Sequence, residues 1–277
     1  MNSFDIFIDK NNTIYIPNQN NGQILMIFEG NQTLIKNISN NLYNSSSIFV
    51  KTENEIYLDT FYSLGGVSKI INDSTIISIL PMNLCQQCFD IFINENNIFY
   101  CLLNQRHQIL GKSLENNLNY LTIFAGTGTQ GSTSTTLSNP QGIFVDSNSD
   151  LYVADCGNNR IQLFPSEKLT GITILGNNSS NLSLILNCPT DVLLDNNKYL
   201  FIVDSNNHRI FRQNSNGFQC IIGCLGSNQL SYPRSLHFDS YGNIFVTDYG
   251  NNRIQKFNRE NISWKSIQSC TRNFYFI

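Results

Sequence analysis

Apolar residues along this chain fall into short runs of about four to six, some alternating with polar residues and some continuous, and each run stops at a cluster of Asn, Asp, Gly or Ser. No helical stripe persists. The runs also recur as a phrase. Pro140-Gln-Gly-Ile-Phe-Val-Asp146 leads through a polar turn into Leu151-Tyr-Val-Ala-Asp155, then Gly157-Asn-Asn-Arg160-Ile-Gln-Leu-Phe164. Pro189 to Asp195 leads in the same way to Leu200–Asp204 and then to Asn206-Asn-His-Arg209. Pro233 to Asp239 leads to Ile244–Asp248 and then to Asn251-Asn-Arg253. Fainter copies precede these: Phe4 to Asp9 with Ile14-Tyr-Ile16, Ser47 to Lys51 with Ile56-Tyr-Leu58, and Phe89 to Asn94 with Phe99-Tyr-Cys101.

The six anchor positions 9, 51, 94, 146, 195 and 239 lie 42 to 52 residues apart, a period that signals an array of one supersecondary unit. Each copy carries three or four strand-like runs and so reads as a β-meander. One such sheet cannot bury both faces, whereas six arranged radially cover one another. The expected fold class is therefore all-β, a six-bladed β-propeller of four-stranded antiparallel blades in one domain over 1–277, with repeats beginning near 4, 46, 89, 140, 189 and 233. In blade four the inner strand is expected at the segment ending in Asp146, the second at Leu151 to Ala154, the third from Arg160 and the outermost at Ile172 to Leu175. Blade six would use Ile262 to Ile267 as its own outer strand. Blades one and six would then share no sheet, and the ring would close by side-chain packing or by a segment outside this chain.

The phrases that end in Asp155, Asp204 and Asp248 and continue to Asn-x-Arg-Ile resemble NHL repeats, whose domains are six-bladed propellers. The resemblance spans essentially the whole chain and is specific in copies four to six. In copies one to three the Asp becomes Asn18, Thr60 and Leu103, and the Arg becomes Gln23, Gly65 and Gln108, so any surface built from these side chains is asymmetric. The pairs Asp155/Arg160, Asp204/Arg209 and Asp248/Arg253 are read first as structural: the acid would cap backbone N–H groups of the following turn and the Arg would cross to a neighbouring blade. The turn asparagines Asn158, Asn159, Asn206, Asn207, Asn251 and Asn252 are the candidate binding surface on one face.

No catalytic constellation survives the same reading. His107, His208 and His237 are the entire histidine supply, and a three-His zinc site of the kind used by amidating lyases of related fold would need all three to converge. Asp5, Asp90 and Asp191 fall at matching inner-strand places and could face a channel as oxygen ligands for calcium, but a solvated polar lining explains them as well. Gly126 to Gly131 lacks the Lys and following helix of a phosphate loop. No cofactor and no metal are expected.

Among eight cysteines, Cys85 and Cys88 have knuckle spacing without a second pair. Cys156 and Cys188 would lie on the same face of adjacent blades and could bond, and Cys220 and Cys224 flank Gly223 and could close a small loop. Bridges would place the protein in an oxidising compartment. The 42 asparagines concentrate in turns, and they make the Asn-x-Ser/Thr sequons, Asn31, Asn37, Asn44, Asn72 and Asn261 among them, no more frequent than chance. Charged residues are 13% and the formal net charge is −3, so no global basic field invites nucleic acid or an anionic membrane.

No apolar stretch is long enough for a spanning helix, and the first residues do not read as a signal peptide. Either the protein is intracellular, or the chain is a piece of a longer one, in which case an extracellular location is favoured. These readings converge on a monomeric, non-enzymatic scaffold that binds protein, peptide or glycan through its turn face. Two alternatives stand beside it. The resemblance to NHL repeats implies a substrate- or RNA-recognition module of the ubiquitin-ligase type, and the metal-binding propellers suggest a channel hydrolase or lyase.

Overall fold

A computed structural model describes residues 5–18, 23–28, 33–37, 45–60, 66–71, 75–79, 88–115, 120–176, 184–224, 229–261 and 272–275. Its strands form six separate four-stranded antiparallel sheets in which each strand pairs with its sequence neighbour, the blades of a β-propeller. Blade four consists of Gly142–Val145, Leu151–Asp155, Arg160–Phe164 and Ile172–Leu175, and the other blades repeat the pattern. Blade six departs from expectation at its edge: the outer strand is Arg272–Tyr275, paired with Arg253–Phe257, while Ile262 to Ile267 lie outside the described residues.

In five of the six blades the first hairpin turns on the anchor residue. Asp146 accepts the N–H groups of Asn148 and Asp150 on Oδ1 at 2.8 and 2.9 Å. Asp9, Asp195 and Asp239 make the same two-point turn, and Asn94 makes half of it through Ile98. A short side-chain acceptor at this place mimics a backbone carbonyl and fixes the hairpin locally, which is why Asp recurs there.

Two compact units are formed, Met1–Cys88 with Leu225–Ile277, and Phe89–Cys224. In the first, blade one shows what period-two alternation accomplishes. Ile14, Ile16, Leu25 and Ile27 pack with Phe245 and Ile254 of blade six, while Tyr15, Ile24 and Met26, pointing to the opposite face, pack with Ile48, Val50, Ile56, Leu58 and Ile70 of blade two. First and last blades therefore meet through side chains and not through a shared sheet. In the second unit Ile143, Val145 and Val153 of blade four close on Tyr100, Leu102 and Ile109 of blade three. On its other face, Ala154, Ile161 and Leu175 of blade four meet Val192, Ile202 and Phe211 of blade five.

Candidate functional site

In blade four the second strand ends at Asp155, a 3₁₀ turn over Cys156–Asn158 follows, and Asn159 takes a left-handed conformation (φ 52°) before Arg160 begins the third strand opposite Asp155. Asp155 is fully buried. Its Oδ1 accepts the Ser138 N–H at 2.7 Å, and its Oδ2 accepts Asn158 Nδ2 at 2.8 Å and Arg160 Nε at 2.7 Å. The rest of the guanidinium donates to the carbonyls of Ser132, Thr133 and Thr136, the connector that arrives from blade three. One acid and one Arg thus tie strand end, turn and incoming chain together with charge-assisted bonds.

Blade five repeats this with Asn187 N–H, Asn207 and Arg209 on Asp204, and with the Ile185 carbonyl on Arg209. Blade six repeats it with Ser231 N–H, Asn251 and Arg253 on Asp248, and with the Gln229 carbonyl on Arg253. Burial pushes the Asp155 and Asp204 carboxyls above the ordinary value, and the surrounding hydrogen bonds pull against it.

Two expectations are corrected by these contacts. The acid caps the N–H of the residue two before the inner-strand Pro, not one in the turn that follows. The Arg holds the connector into its own blade. The turn asparagines divide accordingly. Asn158, Asn207 and Asn251 give their amides to the buried acids, and Asn158 also donates to the Gly131 carbonyl. Asn159 accepts the Cys188 N–H of blade five at 2.8 Å. Asn206 donates to Asn187 Oδ1 and, like Asn251 and Asn252, is exposed. In blades five and six the turn thus combines a polar underlayer with exposed Asn side chains.

Copies one to three keep the hairpin without the pair. Asn18 stands opposite Gln23, and Leu103 opposite Gln108. Thr60 stands opposite Gly66, one residue later than the sequence alignment gives, and Gly65 lies outside the described residues. One acid escaped that alignment. Asp59, a residue before Thr60, is fully buried and accepts the Ser46 hydroxyl at 2.9 Å. An Asp displaced by one position was the available signal.

The inner-strand aspartates join blades. Asp5 Oδ2 accepts Ile48 N–H and Ser47 Oγ of blade two, and its Oδ1 accepts Ser235 Oγ of blade six at 2.8 Å. Asp90 Oδ2 accepts Ile143 N–H of blade four at 2.7 Å. Asp191 caps its own Val192, and Gly142 lies so close to it that a Cβ there would sit 2.5 Å from the Thr190 carbonyl. In chain order, Asp5, Asp90 and Asp191 therefore alternate from blade to blade with the small residues Ser47, Gly142 and Ser235. The oxygens proposed for calcium are engaged by neighbouring blades at Asp5 and Asp90.

His107 accepts the Asn139 N–H on Nδ1 at 3.0 Å, and His208 is the left-handed residue (φ 56°) after the turn of blade five. His237 stacks on Phe7 with ring centroids 4.8 Å apart. Burial lowers its pKa to about 4, so the ring is neutral at physiological pH. No group of three or more His, Cys, Asp or Glu placed to hold a metal occurs among the described residues.

Cys156 of blade four is bonded to Cys188 of blade five, with Cα atoms 4.0 Å apart, and Cys220 is bonded to Cys224 around Gly223, whose φ of 77° makes the bend. Cys88 and Cys101 each take part in a disulfide as well, and Cys85 and Cys270 lie outside the described residues. No helix among the described residues is long and apolar enough to cross a membrane.

A search of curated proteins finds no match. Among solved structures, a streptogramin B lyase superposes with a TM-score of 0.69 at 12% identity, covering 100% of this chain and 83% of that one. Virginiamycin B lyase from Staphylococcus aureus gives 0.65 at 13% identity, covering 98% and 83%. A chain of a nidogen/laminin complex gives 0.66 at 14% identity, covering 97% and 92%. Identities this low show a shared fold. The family described as NHL repeat matches residues 137–164 and 230–257, which run from the inner to the third strand of blades four and six and contain both copies of the Asp-Asn-Arg arrangement just described. The chain thus matches the NHL repeat in two of its six four-stranded blades and has the β-propeller fold.

Proposed function

We propose that this propeller is a recognition scaffold whose turn face binds a protein or peptide partner, with glycan as the other ligand class that such a face accommodates. The observation that carries the reading is the division of labour in blades four to six. Their buried Asp and Arg side chains are consumed in holding the strand end and the incoming connector, and the turns above them share one backbone, with the closing residue at φ 52°, 56° and 51°. A turn held this firmly loses little entropy on binding, Asn206 in blade five and Asn251 and Asn252 in blade six are exposed on such turns, and recognition residues commonly sit on loops held by a stiff scaffold. The likeness to lyases supports the same fold and adds no catalytic group. The disulfides favour an extracellular or secretory setting.

Cross-linking of the protein to its captured partner in native extract, followed by mass spectrometry, tests the reading. Cross-links concentrated on residues 104–107, 156–159, 205–208 and 249–252 are expected. Cross-links confined to the opposite hairpins around 9–13, 146–150 and 239–243, or no captured partner, would overturn it.

A further inference from the structure

In blades four to six the last residue of the 3₁₀ turn is Asn158, Asn207 or Asn251, and each is drawn inward to donate its amide to the buried acid three residues earlier. Blade three has Leu103 in place of that acid and Arg106 in place of that Asn. With no carboxylate beneath it, Arg106 is exposed, and among the described residues no acid pairs with it. In a repeat array a side chain that shapes the blade recurs at the equivalent positions, so an exposed cation absent from the three regular blades is open to a ligand.

The next residue has a fixed tautomer. His107 Nδ1 accepts the Asn139 N–H at 3.0 Å, and since a backbone amide can only donate, the hydrogen of the neutral ring sits on Nε2. The ring is half-buried, and among the described residues that N–H has no acceptor. The turn itself is held firmly, by the His107 N–H on the Asn104 carbonyl at 3.2 Å and by the Asn104 amide on the Pro140 carbonyl at 2.7 Å.

The connector that leaves blade three runs back along the same turn. Gly126 and Gly128 take φ of 77° and 84°, and any side chain at Gly126 would strike the His107 carbonyl, so only glycine permits this approach. It brings the exposed Thr127 and Thr129 to the rim of the turn with their hydroxyls 2.9 Å apart. One hydroxyl hydrogen is used between the two, and the other remains to be donated outward. Within 104–108 and 126–139 Arg106 carries the only formal charge. A single cation among neutral donors matches the one charge of a carboxylate, whose two oxygens fit the guanidinium fork, whereas phosphorylated ligands are met by clustered arginines.

We infer that Arg106, the Nε2–H of His107 and the Thr127 and Thr129 hydroxyls form a subsite of the turn face that takes the carboxylate of an Asp or Glu side chain on a partner protein. The inference rests on the scaffold reading above and specifies one of its contacts.

Selection of a phage-displayed random peptide library on the immobilised protein, followed by fluorescence anisotropy with the enriched peptides, tests it. Arg106→Asn and His107→Asn install residues that blades four and six carry at these places, and Thr127→Val with Thr129→Val removes the hydroxyls at nearly constant volume. Enriched peptides should share Asp or Glu and should bind Arg106→Asn about tenfold or more weakly than the wild type, with smaller losses for the other variants. Exchanging the shared acid for its amide should weaken binding to the wild type and leave binding to Arg106→Asn unchanged, a coupling that a merely structural role for Arg106 would not produce. Melting temperatures of the variants should stay within a few degrees of wild type, which separates lost contact from lost fold. Acidic peptides that bind Arg106→Asn as tightly as the wild type, enriched peptides without an acid, or absence of the coupling overturn the subsite and leave the scaffold reading standing. Tighter Arg106-dependent binding of phosphoserine peptides than of their Glu counterparts overturns the carboxylate assignment. Enrichment of nothing overturns the subsite as well, and the scaffold reading then falls only if no partner is cross-linked.

Discussion

Blades three and four are neighbours in one compact unit and share a backbone plan, yet they are built with different chemistry. In both, the second strand leads into a three-residue 3₁₀ turn closed by a left-handed residue at φ 52°, His107 in one and Asn159 in the other. Blade four places a buried Asp155–Arg160 pair at the base of that turn, where blade three has Leu103 opposite Gln108. The turn therefore does not need the ion pair. What the pair adds is a grip on the connector, through the Ser132, Thr133 and Thr136 carbonyls and the Ser138 N–H.

The most damaging way to break this comparison is to install blade three's residue in half of blade four. Asp155→Leu leaves Arg160 buried without its acid and should cost about 3–5 kcal/mol in urea unfolding. The double change Asp155→Leu with Arg160→Gln copies blade three outright and should recover about half of that loss. Equal loss in single and double variants would show that the pair itself is not the source.

Next in size is the disulfide. Blade four is joined to blade five by Cys156–Cys188, at a sequence separation of 32, so Cys156→Ser with Cys188→Ser should cost about 2–4 kcal/mol. The wild type should fall by a similar amount under reducing agent. Blades three and four are joined at the corresponding place by the Asn104 amide donating to the Pro140 carbonyl, a bond that reduction does not touch.

A third test uses His237, which occupies the position held by Phe7, Phe49, Phe92 and Phe144 in other blades. Its folded pKa of about 4 lies below the ordinary 6.5. Between those values the unfolded chain binds a proton that the folded one does not. The stability contributed by the neutral ring is thus complete above about pH 6.5 and is lost as pH falls toward 4, roughly 2–3 kcal/mol in all. His237→Phe should remove this share of the acid sensitivity; an unchanged pH profile would show that the ring protonates freely when folded.

The smallest effect concerns the joint between blades three and four at the inner strands. Asp90→Ser, the residue type of blades two and six, leaves the Ile143 N–H without its carboxylate and should cost about 1–3 kcal/mol.

Much of the architecture was legible because it is written in side chains. The anchor aspartates show at each hairpin they shape, and the β-strand alternation that splits Tyr15 from Ile14 and Ile16 is visible as residue types. Contacts to main-chain carbonyls are not, since Ser132 or Ile185 can accept from an Arg whatever its side chain is, so the grip on the connector leaves no mark in the sequence. The outer strand of blade six is Arg272–Tyr275 where the sequence pattern favours Ile262 to Ile267, because a short run of apolar residues does not by itself choose which segment pairs with an edge. The turn asparagines looked alike in sequence. Three are drawn inward by an acid three residues earlier, a distinction that the spacing Asp155 to Asn158 contains and that residue type alone does not.

The central claim is that the buried Asp and Arg side chains hold the scaffold while the exposed turns bind. Partner capture and melting temperature, measured side by side on two variants, test it most directly. Asn206→Arg with Asn252→His, the residue that blades three and five carry at that left-handed place, should abolish capture and leave melting unchanged. Asp155→Leu with Arg160→Gln should lower melting and still capture partner below the transition. The reverse pattern, capture surviving on the rim variant and lost on the stable fraction of the other, would contradict it.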